Sequence, residues 1–148
     1  MTCSGPLYDL AKRFVGTWKE YTVTPEGEIL VGTLQVDWEP DGCVILQRFH
    51  AAEGQFAFIA FGYLNPEGNA WEETFSLNTG RVAHYRWREV GDEIIMDRLG
   101  GDPNNLRRLK VHNLTFAAYD VFEESSTDGG QTWEVVEVTR TRREVADE

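Results

Sequence analysis

The sequence predicts an all-β protein: about ten antiparallel strands running up and down around a closed barrel, with a short N-terminal helix closing one end. Three observations predict it. Turn-forming clusters recur along nearly the whole chain, and the segments between them are rich in β-branched and aromatic residues. Those segments follow one another at the spacing of roughly 8–12 residues typical of β-sandwiches and barrels, with no helical period between them.

The exception comes first. Over residues 6–15, Leu7, Leu10, Ala11 and Phe14 fall at helical spacing, Pro6 suits a first helical turn, and Ser4 or Gly5 stands where a cap belongs. Strands are then expected at 16–24, 29–38, 43–50, 55–64, 70–77, 81–90, 93–99, 106–113, 114–123 and 131–142. Clusters such as Pro25-Glu26-Gly27, Asn65-Pro66-Glu67-Gly68-Asn69, Asn78-Thr79-Gly80 and Thr127-Asp128-Gly129-Gly130 separate them. In each, Gly supplies positive φ, Pro presets the first turn position, and Asn or Asp bonds its own backbone. The boundary at Asn113 rests on little except Asn itself. The expectation is one barrel domain over 1–148, with its helix at 6–15, strands through 16–142 and a frayed tail at 144–148.

Strand alternation assigns faces. Leu30, Gly32, Leu34, Val36 and Trp38 share one side, opposed by Thr33, Gln35 and Asp37. Residues 55–64 are apolar on both faces, Phe56 and Phe58 against Ile59 and Phe61, as if covered on both sides. Residues 81–90 set Val82, His84, Arg86 and Arg88 against Ala83, Tyr85, Trp87 and Glu89. Polar groups on both parities suit a barrel whose lumen holds rings and polar groups together. Ten strands also exceed the eight or so whose side chains just fill a lumen, which leaves room for a ligand.

Composition excludes several functions. With 25 acidic against 14 basic residues the net charge is −11, a poor match to a phosphate backbone. No stretch approaches the roughly 20 apolar residues that span a bilayer. The opening Met1-Thr2-Cys3-Ser4-Gly5-Pro6 has neither the basic start nor the apolar run of a signal peptide, so a cytoplasmic protein is expected. Two cysteines, Cys3 and Cys43, make at most one bridge, and Cys43 at the head of an apolar run reads as a buried, inert thiol.

Phe14-Val15-Gly16-Thr17-Trp18-Lys19 resembles the opening of the calycins, the lipocalin and fatty-acid-binding barrels, in which a Gly-x-Trp follows a short helix and Trp plugs the floor. The resemblance puts Trp18 on that floor. Val138-Thr139-Arg140-Thr141-Arg142 is similar to the last strand of fatty-acid-binding proteins, whose Arg-x-Tyr grips a carboxylate; Arg140 matches the Arg and Arg142 replaces the Tyr. The chain leaves no space after its first strand for the two lid helices of those proteins. It therefore looks closer to lidless bacterial lipocalin-like domains and to nitrobindin-like barrels. The former often carry a turn like Gly129-Gly130-Gln131-Thr132-Trp133.

The candidate ligand-binding residues are Arg48, His50, Phe58, Trp71, His84, Tyr85, Trp87, Tyr119 and Arg140. Glu20 shares the parity of Trp18, and Glu73 that of Trp71, which makes both possible inward carboxylates. The favoured reading of 81–90 turns Arg86 and Arg88 to solvent and Tyr85 and Trp87 inward as an aromatic wall. Arg140 is read first as a structural cation stacked on Trp18 and second as a ligand for a carboxylate. His50, His84 and His112 form no zinc-binding pair, so no metal and no cofactor is implied. A nitrobindin-type haem would need His112 as its axial ligand. No nucleophile elbow, phosphate loop or dinucleotide fingerprint is present. The function expected is binding of a small hydrophobic or amphiphilic molecule in the lumen. An isomerase, cyclase or decarboxylase using a buried carboxylate–His pair is the alternative, haem binding comes second to it, and a homodimer is a possible assembly.

Overall fold

Gly, Asn and Asp at turn positions cut the chain close to where the sequence places its breaks. The computed structural model describes residues 3–41 and 43–145. A helix α1 (Pro6–Lys12) precedes ten strands: β1 (Gly16–Thr24), β2 (Gly27–Glu39), β3 (Val44–Ala51), β4 (Ala57–Leu64), β5 (Trp71–Leu77), β6 (Val82–Val90), β7 (Glu93–Leu99), β8 (Leu106–His112), β9 (Ala118–Ser126) and β10 (Glu134–Arg143). Each pairs antiparallel with its sequence neighbours, and β10 returns to β1, closing an all-antiparallel up-and-down barrel. That architecture is consistent with a calycin-like fold. The tail expected at 144–148 lies outside the described residues except for Glu144 and Val145.

Three local corrections have physical causes. The helix stops at Lys12 because Arg13, Phe14 and Val15 donate to carbonyls three residues back, tightening the last turn before β1. Strand β9 begins at Ala118 and not at residue 114. Asn113 takes a positive φ of 54°, and Thr115 closes a turn onto the Ala118 carbonyl and amide. Cys43 is bonded to Cys3, so it is no inert thiol; the bridge joins positions 40 apart in sequence and ties the segment before α1 to the β2–β3 connection.

The helix α1 lies at one end of the barrel, against Trp38 and Trp71. Trp18, fully buried, donates from Nε1 to the Phe14 carbonyl at 2.8 Å and meets Tyr119 edge-on at 5.1 Å. Tyr8 of α1 packs edge-on against Trp38 and Trp71. The cation over Trp18 is Arg143, 4.1 Å from the ring, and not Arg140. Arg143 also donates to the carbonyls of Val15, Arg13 and Phe116, so one guanidinium joins the helix exit, the β8–β9 loop and the last strand. Gly16 is required beneath it: a Cβ there would collide with the Arg143 guanidinium, and its φ is 143°. Strand β4 is not covered on its outer side, where Ile59 and Phe61 are 46% and 48% exposed.

Candidate functional site: an acid-lined chamber in the lumen

Because successive strand residues alternate across the barrel wall, each strand sends every second side chain into the lumen. Above the floor these side chains leave a chamber of about 150 Å³. Phe14, Trp87, Met96 and Val111 form part of its apolar wall, and Glu20, Gln47, Glu73, Tyr119 and Thr139 bring polar groups into it. Toward the opposite end lies a vestibule of about 470 Å³ between Phe56, Phe58, Tyr85, Arg98 and Glu123. Phe75 and Leu109 border both spaces.

Glu73 is 2% exposed, and Gln47 donates to its Oε2 at 3.1 Å. Burial penalises its charged form more than that hydrogen bond favours it, and its pKa is pushed up to about 8. Glu20 lies across the same chamber. Burial, reinforced by the negative charge of Glu137, raises it to about 7. Burial also raises the Tyr119 phenol, which therefore stays protonated. Among the described residues no Lys, Arg or His lines the chamber, so neither carboxyl has a cation to hold it ionised. The Trp87 indole Nε1 is buried without a hydrogen-bond partner, and the Thr141 hydroxyl lies beside the Tyr119 phenol. Trp71 Nε1 is also unpartnered, but it lies against Gly62, 2.7 Å from where a Cβ would stand, and does not border the chamber.

The structure brings together part of the expected set. Trp87 and Tyr119 line the chamber, Phe58 and Tyr85 line the vestibule, and Trp71 is buried toward the floor. Glu20 and Glu73 both face inward, as their parity with Trp18 and Trp71 implies. Arg86 and Arg88 lie on the outer wall, paired with Glu72 and Asp97.

Four expected residues are on the wrong side of the wall. Arg48 pairs with Asp37 outside the barrel and His50 is exposed beside it, because Gln47 and Phe49 occupy the inward positions of β3. His84 accepts or shares a proton with Thr74 Oγ1 at 2.9 Å on the outer face. Arg140 bonds Asp120 and Glu28 outside, because Thr139 and Thr141 take the inward phase of β10. Arg142 joins the same Glu28, so the Arg140–Arg142 pair is a surface ion network and grips no lumen carboxylate. His112 bonds Glu93 at 3.0 Å and touches Phe122 on the outer wall, where it cannot ligate a haem in the lumen.

Gln47 was missed. Its signal was present: a polar residue in phase with Ile45 and Phe49 on an otherwise apolar face. The Gly129–Trp133 turn proves to be a latch on the outside. Asp128 accepts from the Thr132 amide and hydroxyl, bonds that lower its pKa to about 2, and Trp133 lies under Arg108 at 3.9 Å. Among the described residues no group of three or more potential metal ligands occurs, and no helix is long and apolar enough to cross a membrane. No protein-family model matches the sequence, and no curated protein is significantly similar to it.

Proposed function

We propose that the protein binds a small amphiphilic molecule in the barrel lumen, with its polar end in the acid-lined chamber and its apolar body toward the vestibule. The observation that supports this most directly is the chamber itself: a space inside the barrel with two carboxyl groups that the protein leaves without a cationic partner. Its volume matches that of cavities that accept a single six-membered ring, and the vestibule extends the site into the range of small-molecule pockets. Protein interiors are close-packed, so a space lined by aromatic walls and convergent polar groups is better explained by a guest than by poor packing. Native mass spectrometry of gently purified protein tests the reading. A bound species of a few hundred daltons that leaves on mild activation supports it; a bare chain that also takes up no small aromatic probe contradicts it.

A catalytic reading survives in altered form. The expected carboxylate–His pair is absent from the chamber, since His50, His84 and His112 all lie outside it. Glu20 and Glu73 instead line it, each with a pKa raised by burial into the range in which a carboxyl serves as general acid or base near neutrality. Turnover of a bound guest, and not retention of it, would distinguish this reading.

A further inference from the structure

We infer that the chamber selects a neutral guest carrying a hydrogen-bond-accepting oxygen, a ketone or amide carbonyl, and excludes carboxylates. The inference rests on the lumen-binding reading above and names the class of guest.

Polar groups with an unused donor define the chamber. Gln47 donates to Glu73 Oε2, so that oxygen is engaged as an acceptor and the proton of the acid belongs on Oε1, for which the described residues supply no partner. Trp87 is 7% exposed and lines the chamber, and its indole N–H, a group that can only donate, is buried without a partner and without accessible surface of its own. Tyr119, on the same wall, adds a protonated phenol. A buried donor without an acceptor is costly, and a carbonyl oxygen of the guest would relieve it. An anionic group placed in the chamber meets two acids and no cation, the arginines Arg81 and Arg98 lying in the vestibule. A cationic guest would have to strip a proton from Glu73 or Glu20 and bury the resulting ion pair, which loses the hydration of both charges.

The groups around the two acids set the pH dependence. Tyr119 of β9, Tyr85 of β6 and Glu137 of β10 face or influence them, while β2, β7 and β8 present Leu34, Val36, Met96, Leu109 and Val111. Arg98, Arg81 and the Arg107–Glu123 pair lie toward the vestibule, on the far side of Phe75 and Leu109. Above pH 8, Glu73 becomes an acceptor and a charge, so affinity for an oxygen acceptor falls as pH rises.

The test is calorimetric titration at pH 6 and pH 9 with four probes of nearly one shape: acetophenone, its hydrocarbon isostere α-methylstyrene, 1-phenylethylamine and benzoate. Acetophenone should bind at pH 6 about tenfold or more tighter than α-methylstyrene, the worth of one satisfied donor. That preference should shrink severalfold at pH 9, and benzoate should not bind. Glu73→Gln, which keeps a donor and cannot ionise, should retain the ketone preference at both pH values. Equal affinity for ketone and hydrocarbon, a preference indifferent to pH in the unaltered protein, or tighter binding of the amine than of the ketone at pH 6 overturns the carbonyl assignment while leaving lumen binding intact. Failure of all four probes to bind at millimolar concentration overturns lumen binding itself, and the carbonyl assignment with it.

Discussion

The floor of the barrel and the chamber above it use the same kinds of residue to opposite ends. At the floor, Trp18 Nε1 has its carbonyl and Arg143 has three, so these two side chains are satisfied from within the chain, although Trp71 Nε1 nearby is not. One strand turn further in, Glu73 is engaged at one oxygen only, and the donor of Trp87 has nothing. A satisfied buried network rigidifies and stabilises, whereas a partly satisfied one costs stability and persists where something else completes it. Around Trp18 and Arg143 completed hydrogen bonding holds the fold, whereas in the chamber the acid of Glu73 keeps one oxygen free for a guest.

The largest expected effect sharpens the first half of that contrast. Trp18→Ala should lower stability by about 3–5 kcal/mol in denaturant titration, the cost of emptying a large, fully buried aromatic site. An unshifted midpoint would mean that Trp18 does not plug the floor.

The next effect belongs to the chamber and has the opposite sign. Glu73 and Glu20 ionise at higher pH in the folded chain than in the unfolded one, where the ordinary value is about 4.5. The folded state therefore holds protons that the unfolded state has released. These acids cost nothing below pH 4.5, and they subtract stability progressively as pH rises toward 8. Glu73→Gln removes the larger share. At pH 8 it should be more stable than the unaltered protein by roughly 3–4 kcal/mol, a pKa unit being worth about 1.4 kcal/mol, and the gain should vanish near pH 4.5. A constant difference across that range would show that Glu73 ionises normally.

Smaller effects compare two arginines three residues apart. Arg143→Ala removes three hydrogen bonds to backbone carbonyls and the contact over Trp18, and about 2 kcal/mol should be lost from the unfolding free energy. Arg140→Ala breaks exposed ion pairs with Glu28 and Asp120 and should cost below about 1 kcal/mol, less still at high salt. If Arg140→Ala proved the more damaging, the assignment of Arg143 as the floor clamp would fall.

That pair of arginines also shows where the sequence stopped being informative. Strand phase is legible when one parity is apolar. Leu34 and Val36 face the lumen as their alternation implies, and Glu20 and Glu73 could be placed by counting from Trp18 and Trp71. In β10 the run Val138-Thr139-Arg140-Thr141-Arg142 gives neither parity an apolar majority, and a register irregularity between Val135 and Glu137 adds a further shift. The likeness to a fatty-acid-binding strand then favoured Arg140 over Arg143. In β3 and β6, basic residues and His attract functional readings, yet Phe49, Tyr85 and Trp87 on the other parity are the ones a lumen needs. The Cys3–Cys43 bond was illegible for a different reason. It depends on α1 packing beneath the β2–β3 connection, a tertiary contact that no local pattern announces. Turn chemistry was the most readable feature, which is why β1 and β7 match their expected limits.

The account stands or falls on a chamber acid that keeps its proton at neutral pH. Carbon-13 NMR titration of glutamate side-chain carboxyls, with Glu73→Gln to assign the signal, measures this directly. A Glu73 midpoint near pH 8 and a Glu20 midpoint near pH 7 are the values expected. Both carboxyls titrating together near 4.5 would place them in water, and the chamber would not exist.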